Sequence, residues 1–338
     1  MNYEKDFLRN GSSSFHNIFF SLFIGAYYIP PETILQMIFM KLMSPHTHSP
    51  WPAVYETIVF DIRLPRIALA LLGGLALSVS GASLQTIFRN PLVDSYILGI
   101  SAGAGFGAAL AIAVFPHVLG IQLSAFVFGI LAFFLTYSIA KTRGGTPIVS
   151  LVLAGVIVSS LFSAALSLVK FFADPHQLGG IVMWLMGGLA VTGWRNVTTI
   201  ASTILVGFVA LFLMRWRLNV LTLGDEEARS LGINVERERF VVLLFATLMV
   251  SSFTSVAGII GWVGLMVPHM ARMYLKSPDN RVVIPASACI GSALLLLADD
   301  AARCLTTYEL PVGVLTTIGG APFFLYLLKR GGARAWRE

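Results

Sequence analysis

Few groups in this chain could make or break a covalent bond. Its two cysteines, Cys289 and Cys304, lie in one apolar stretch. Their separation is about 22 Å along a helix, far beyond disulfide reach, so they read as small apolar fillers. His46-Thr47-His48 stands between Pro45 and Pro50. Two histidines could touch a metal ion, but a closed site needs more ligands, and a solvated loop is the plainer expectation. His269, in VPHMAR, is expected near a helix end. The methionines at 183, 186, 249, 266, 270 and 273 read as packing residues. There is no GxxxxGK[ST], HExxH or CxxC, so a phosphate cradle, a zinc hydrolase helix and a thiol redox pair all lack their signatures. Ionisable side chains are nearly absent from the middle of every apolar stretch. That argues against a proton-coupled pump, which places such groups at mid-membrane. A sodium site built of backbone carbonyls would leave no such mark. The remaining charge sits at the ends of apolar stretches: Arg63 and Arg66 in RLPR, Arg303 in ADDAAR, and the run DEEARSLG at 225–232.

The elements that must position these groups are membrane helices. Hydrophobic residues make up 56% of the 338-residue chain and charged residues 12%, about half the charge density of a soluble domain. The mean hydropathy is +0.80. The expected fold class is an all-α polytopic membrane protein, with 1–338 as a single transmembrane domain. The net charge of +6 reports orientation in such a chain and does not imply nucleic acid. Charge-free stretches run 10–31, 67–88, 95–140, 144–169, 175–194, 196–214, 240–271, 282–298 and 310–328. The stretch 95–140 is long enough for two helices, with a break near Pro116. Two stretches are ambiguous: 240–271 could break at Gly258, Gly261 and Gly264, and 175–194 is punctuated by proline and glycine.

The excess of basic residues on the cytoplasmic side decides between the possibilities. Splitting 240–271 and keeping 175–193 as an external re-entrant or surface helix gives ten transmembrane helices with both termini cytoplasmic. That arrangement puts 17 of the 23 basic residues inside, against 7, 11 or 13 for the alternatives. The segment 215–239 is then the one sizeable cytoplasmic stretch. Within it DEEARSLG has acids in its first turn and Gly232 at its end, as a short helix would. Such a helix offers a surface to a soluble partner, where a merely solvated loop is the bland reading. Ser78-Val79-Ser80-Gly81 with Pro91, and Ser255-Val256-Ala257-Gly258 with Pro268, suggest an internal repeat inverted in the membrane. Gly99, Gly103 and Gly107 fall on one helix face, spaced for close helix packing.

Four strings carry a more specific signal: 63–105 (RLPRIALALLGGLALSVSGASLQTIFRNPLVDSYILGISAGAG), GDEEARSLGI at 224–233, GIIGWVGLMVPHMAR at 258–272, and the run from Ala298 through Arg303 to ELPVGVLTTIGGAPFF at 309–324. In order and spacing the chain resembles the FecCD family of ABC-importer permeases. Residues 1–60 depart most from the family pattern. The resemblance implies a second copy of the chain, two copies of a cytoplasmic ATPase that bind ATP and Mg, and a periplasmic substrate-binding protein. It implies no cofactor and no metal site on this chain, and a place in the bacterial inner membrane. The cargo implied is a metal chelate such as an iron–siderophore, haem or cobalamin. The chain as a whole also resembles permeases for molybdate or tungstate.

Residue by residue, the resemblance makes Arg63, Arg66 and Arg303 docking groups for acidic residues of the binding protein. The competing expectation is interface snorkelling, or structural pairing with Asp61, Asp299 or Asp300. Gly224, Asp225, Glu226, Ala228, Arg229, Leu231 and Gly232 match the coupling segment that seats on the ATPase. Pro147, Ile148, Val149 and Ser150 match the cytoplasmic narrowing of the translocation pathway, although Pro147 and Ile148 replace the family's small hydroxyl residues. The segment 175–193 matches an external helix at the mouth. The function expected is alternating-access permeation driven by the partner ATPase, with no catalysis by this chain. A secondary, ion-coupled transporter is the alternative from a different class, and a membrane-embedded enzyme a third.

Overall fold

The computed structural model describes residues 20–331 apart from 26, 44–49, 115–117, 144, 191–192 and 307. His46, His48 and both chain termini lie outside the described residues. Six helices are long and apolar enough to cross a bilayer: α2 (Ala53–Ile87), α4 (Val118–Ala140), α5 (Ile148–Phe172), α7 (Trp194–Leu213), α10 (Val235–Ala257) and α12 (Asn280–Cys304). Two further apolar helices are α3 (Ile100–Val114) and α13 (Val312–Gly331). Shorter elements complete the described chain: α1 (Pro31–Met43), α6 (Pro175–Leu185), α8 (Arg215–Leu223), α9 (Asp225–Ser230) and α11 (Val263–Leu275).

Helix α2 is the axle of the bundle. Between Leu64 and Ile87 nearly every side chain is buried, against α7, α10, α11 and α12. Glycine makes that possible. A Cβ on Gly74 would lie 2.1 Å from the Gly291 carbonyl oxygen, and one on Gly81 would lie 1.9 Å from that of Gly264. Lipid supplies no hydrophobic push between helices, so close backbone approach and dispersion carry the association. We expect Gly81→Val to cost about 1–3 kcal/mol by overpacking a contact that cannot retreat. Thermal unfolding of the detergent-solubilised protein checks this, and an unchanged melting temperature would show slack at the crossing.

The ambiguous stretches resolve through local chemistry. Helix α10 stops at Ala257, and Gly258 takes φ +69°. Its Cα region abuts the Trp184 carbonyl, while Gly187 and Gly313 both crowd the Ile259 carbonyl. The break in 240–271, the end of α6 and the start of α13 therefore meet where only glycines fit. Helix α6 has 11 residues, about 16 Å, which is half a hydrocarbon core. Its start is fixed by a reciprocal cap between Asp174 and Gln177.

Other elements differ from the sequence reading. Residues 90–99 are not helical; they re-enter the bundle as an irregular run. There the Ser95 hydroxyl donates to the Leu77 carbonyl at 2.8 Å. Gly99 therefore precedes α3, with φ +80°, and only Gly103 and Gly107 serve the α3–α4 crossing. Helix α2 begins 14 residues earlier than its charge-free stretch, through a π-helical turn at Thr57–Arg63. The two repeat strings sit in unlike surroundings. Ser78–Gly81 lies inside α2, whereas Gly258 ends α10; Pro91 is in the irregular run, whereas Pro268 is inside α11.

Candidate functional site

The charged residues gather at two opposite ends of α2. From Arg66 to Ile87 the helix rises about 31 Å, close to the thickness of a hydrocarbon core.

At the first end the structure brings Arg63, Arg66 and Arg303 together, but it turns them inward. They are 3%, 3% and 7% exposed. Arg66 donates through Nε to Asp299 at 2.9 and 3.0 Å and through Nη1 to Glu309 at 3.0 and 2.8 Å. Arg303 pairs with Asp300 and with Asp299, the latter at 3.2 Å, and donates to the Ser21 hydroxyl at 3.0 Å. Ser21 in turn donates to Asp300 at 2.6 Å. Arg63 donates to the carbonyls of Leu22 and Tyr27, at 2.7 and 2.5 Å. The three guanidinium groups are engaged within the chain, as the pairing expectation has it. A buried carboxylate such as Asp299 must be paired, and the arginines are what the chain supplies. Pairing with Asp299 and Asp300 occurs, while Asp61 stays exposed. The network joins α2, α12, the residues before α13 and the segment 20–30.

At the other end stands α9. Gly224, with φ +138°, separates it from α8, and Gly232, with φ +80°, ends it. These are left-handed turns that glycine adopts without strain. Ala228 points into the chain and is fully buried, whereas Glu226, Arg229, Leu231 and Gly232 are exposed. Leu223, just before α9, is also 59% exposed, as is Leu231. The two leucines flank a six-residue helix whose other exposed residues are polar.

Asp225 anchors α9. It accepts two hydrogen bonds from Arg239 at 2.9 Å each and pairs with Arg89. Burial alone would push its carboxyl up, but Arg239 and then Arg89 overcome that and hold it below the usual carboxylate range. Arg89 is one of three non-glycine residues with positive φ among the described residues. It sits at the end of α2, so the clamp ties α9 to the axle.

The expected narrowing lies beside this clamp. Pro147 caps α5, and Val149 is 69% exposed; Ile148 and Ser150 are half-buried. The preceding Thr146 is buried. Its N–H donates to Glu236 at 3.0 Å, and its carbonyl accepts from Arg239 at 2.8 Å. Sequence reading passed over Arg239 and Glu236 as functional residues. Their signal was present: Glu236 and Arg239 are charges in the first turn of a membrane helix, where lipid depth makes charge costly. It also took GxSxG to be absent, whereas Gly99-Ile100-Ser101-Ala102-Gly103 has that spacing. Ser101 falls in the first turn of α3 with no strand before it, so no nucleophile elbow forms. His269 lies within α11, its ring 6.0 Å from that of Phe324 and 6.5 Å from that of Phe323.

Comparison with known proteins agrees with this arrangement. A profile of the FecCD transport family matches residues 15–330. A probable iron chelatin transport system permease protein of Helicobacter pylori (strain ATCC 700392 / 26695) is 41% identical over 295 residues, covering 87% of this chain and 89% of the relative. The molybdate import system permease protein MolB of Haemophilus influenzae is 36% identical and covers 92% of each chain. A solved structure described as an inward-facing conformation of a metal-chelate type ABC transporter superposes with a TM-score of 0.86. It is 33% identical, and the match covers 97% of this chain and all of the other. With an all-helical bundle and a match along nearly its whole length, the chain belongs to the FecCD transport family of ABC-importer permeases.

Proposed function

We propose that two copies of this chain form the membrane channel of an importer in a bacterial inner membrane. Each copy would have ten spans and cytoplasmic termini. Two ATPase subunits, which bind ATP and Mg, seat on the α9 face, and a periplasmic binding protein delivers cargo at the rim. The cargo proposed is a metal chelate or a metal oxyanion, which the iron-chelate and molybdate relatives support. The observation that carries the reading is the placement of two charged clusters at opposite ends of one buried helix, with the short polar helix α9 clamped to one of them through Asp225.

In this reading α9 contacts the ATPase through Leu223, Glu226, Arg229 and Leu231, while Gly224, Ala228 and Gly232 shape it from within. Residues 147–150 narrow the pathway at the same end. The three rim arginines serve docking indirectly, by holding the shape of the surface on which the binding protein rests. Helix 175–185 and the glycine junction behind it close the mouth. Alternating access follows when ATP moves α9 and the bundle exchanges one opening for the other.

The test is a single cysteine at Leu231, in a protein whose Cys289 and Cys304 have been replaced. We expect an impermeant thiol reagent to reach it only from the cytoplasmic side, and co-expressed ATPase to shield it. Labelling from the outside would overturn the ten-span orientation. Mass spectrometry of the ligand that co-purifies with the binding protein would identify the cargo.

A further inference from the structure

Resting on the reading of α9 as the ATPase seat, we infer that Arg239 is the positioning residue that carries the movement of α9 to the narrowing at the start of α5. Arg239 is 3% exposed and belongs to neither surface. One edge of its guanidinium holds both oxygens of Asp225, the first residue of α9, at 2.9 Å. The other edge donates to the Thr146 carbonyl at 2.8 Å, one residue before the cap of α5, and pairs with Glu236 at 3.3 Å. Glu236 closes the loop by accepting from the Thr146 N–H at 3.0 Å. Residue 146 is thus gripped at both its backbone groups, and the grip ends on the helix that the ATPase would push.

The chemistry suits a transmission element. A planar guanidinium fixes the direction of several bonds at once, which a lysine ammonium cannot do. The charges balance: Arg89 and Arg239 face Asp225 and Glu236. The cluster therefore moves as a unit, since separating any member strands a charge in a half-buried place. Helix α9 touches α8 and α10, and α10 bears Arg239.

The test uses the full complex of permease, ATPase and binding protein in proteoliposomes, in a background without native cysteines and with one cysteine at Val149. In the parent protein we expect ATP to change the labelling rate at 149. With Arg239→Gln we expect the ATPase to stay bound while the ATP-driven change in labelling and the transport rate both fall about tenfold, within the usual range of a coupling free energy. Arg239→Lys should restore part of both. Asp225→Asn should reproduce the loss, and the Asp225→Asn, Arg239→Gln double variant should be no worse than either single. Normal ATP-dependent labelling in Arg239→Gln would overturn the inference. If that variant fails to assemble, Glu236→Met decides, because it removes the acceptor of the Thr146 N–H and leaves the Arg239–Asp225 pair in place; labelling that still follows ATP there would overturn it. Failure of the underlying reading looks different: Leu231→Glu would then leave the ATPase bound.

Discussion

Arg66→Glu is expected to abolish the folded permease, and not merely to slow capture of the binding protein. Asp299 is fully buried and depends on the Arg66 and Arg303 guanidinium groups. Removing one partner of a buried ion pair costs about 3–5 kcal/mol, because the other charge is left in a medium that cannot solvate it. The reversal does more, since it sets a third carboxylate against Asp299 and Glu309. Glu309→Gln is the control. Glu309 is 48% exposed, and losing a half-exposed pair costs about 1 kcal/mol or less. Yield and melting temperature in detergent should therefore collapse for Arg66→Glu and hardly move for Glu309→Gln. A stable Arg66→Glu protein whose association with binding protein is slow at low salt and recovers at high salt would mean that Arg66 docks through its own charge.

The rim shows where sequence reading stops. That Arg63, Arg66 and Arg303 lie at one end of the bundle was legible, because the charge count sets all three on one side of the expected topology. Which way they point was not, because Asp299 and Glu309 lie over 230 residues away from Arg66 and meet it only once α12 packs antiparallel to α2. The break in 240–271 was expected from the charge count, with Gly258, Gly261 and Gly264 as its possible places, and it falls at Gly258. The irregular run 90–99 was legible only in part: Pro91 and Asp94 interrupt the apolar pattern, but 95–99 read as the start of a helix, and its course is set by tertiary partners such as the Leu77 carbonyl that holds Ser95. Helix α1 was missed for the opposite reason. At 13 residues it is too short to span, although Pro31, Glu32 and the buried Ile34 and Met37 mark a start and one apolar face.

At the coupling end, the side chain to change is Leu231, not Ala228. Ala228 is buried within its own chain, so Ala228→Trp would first disrupt α9 itself, and any loss of transport would say nothing about the partner. Leu231 is 59% exposed just past the end of α9, and nothing in its own chain requires a charge there to be absent. We expect Leu231→Glu to leave the stability of the isolated permease within about 0.5 kcal/mol of the parent's, as for surface changes in general. Binding of the ATPase should weaken by about 2 kcal/mol or more, the scale at which a buried anchor counts as a hot spot. Leu223→Glu should act in the same direction, since the two leucines flank one short helix. Co-purification with tagged ATPase, read beside thermal unfolding of the permease alone, separates the two effects. If both variants keep the ATPase bound, the α9 face is not its seat, and the leucines have another occupant. If binding is lost while the permease alone stays folded, the exposed leucines are an interface, which accounts for apolar side chains standing in water at the most polar part of the chain.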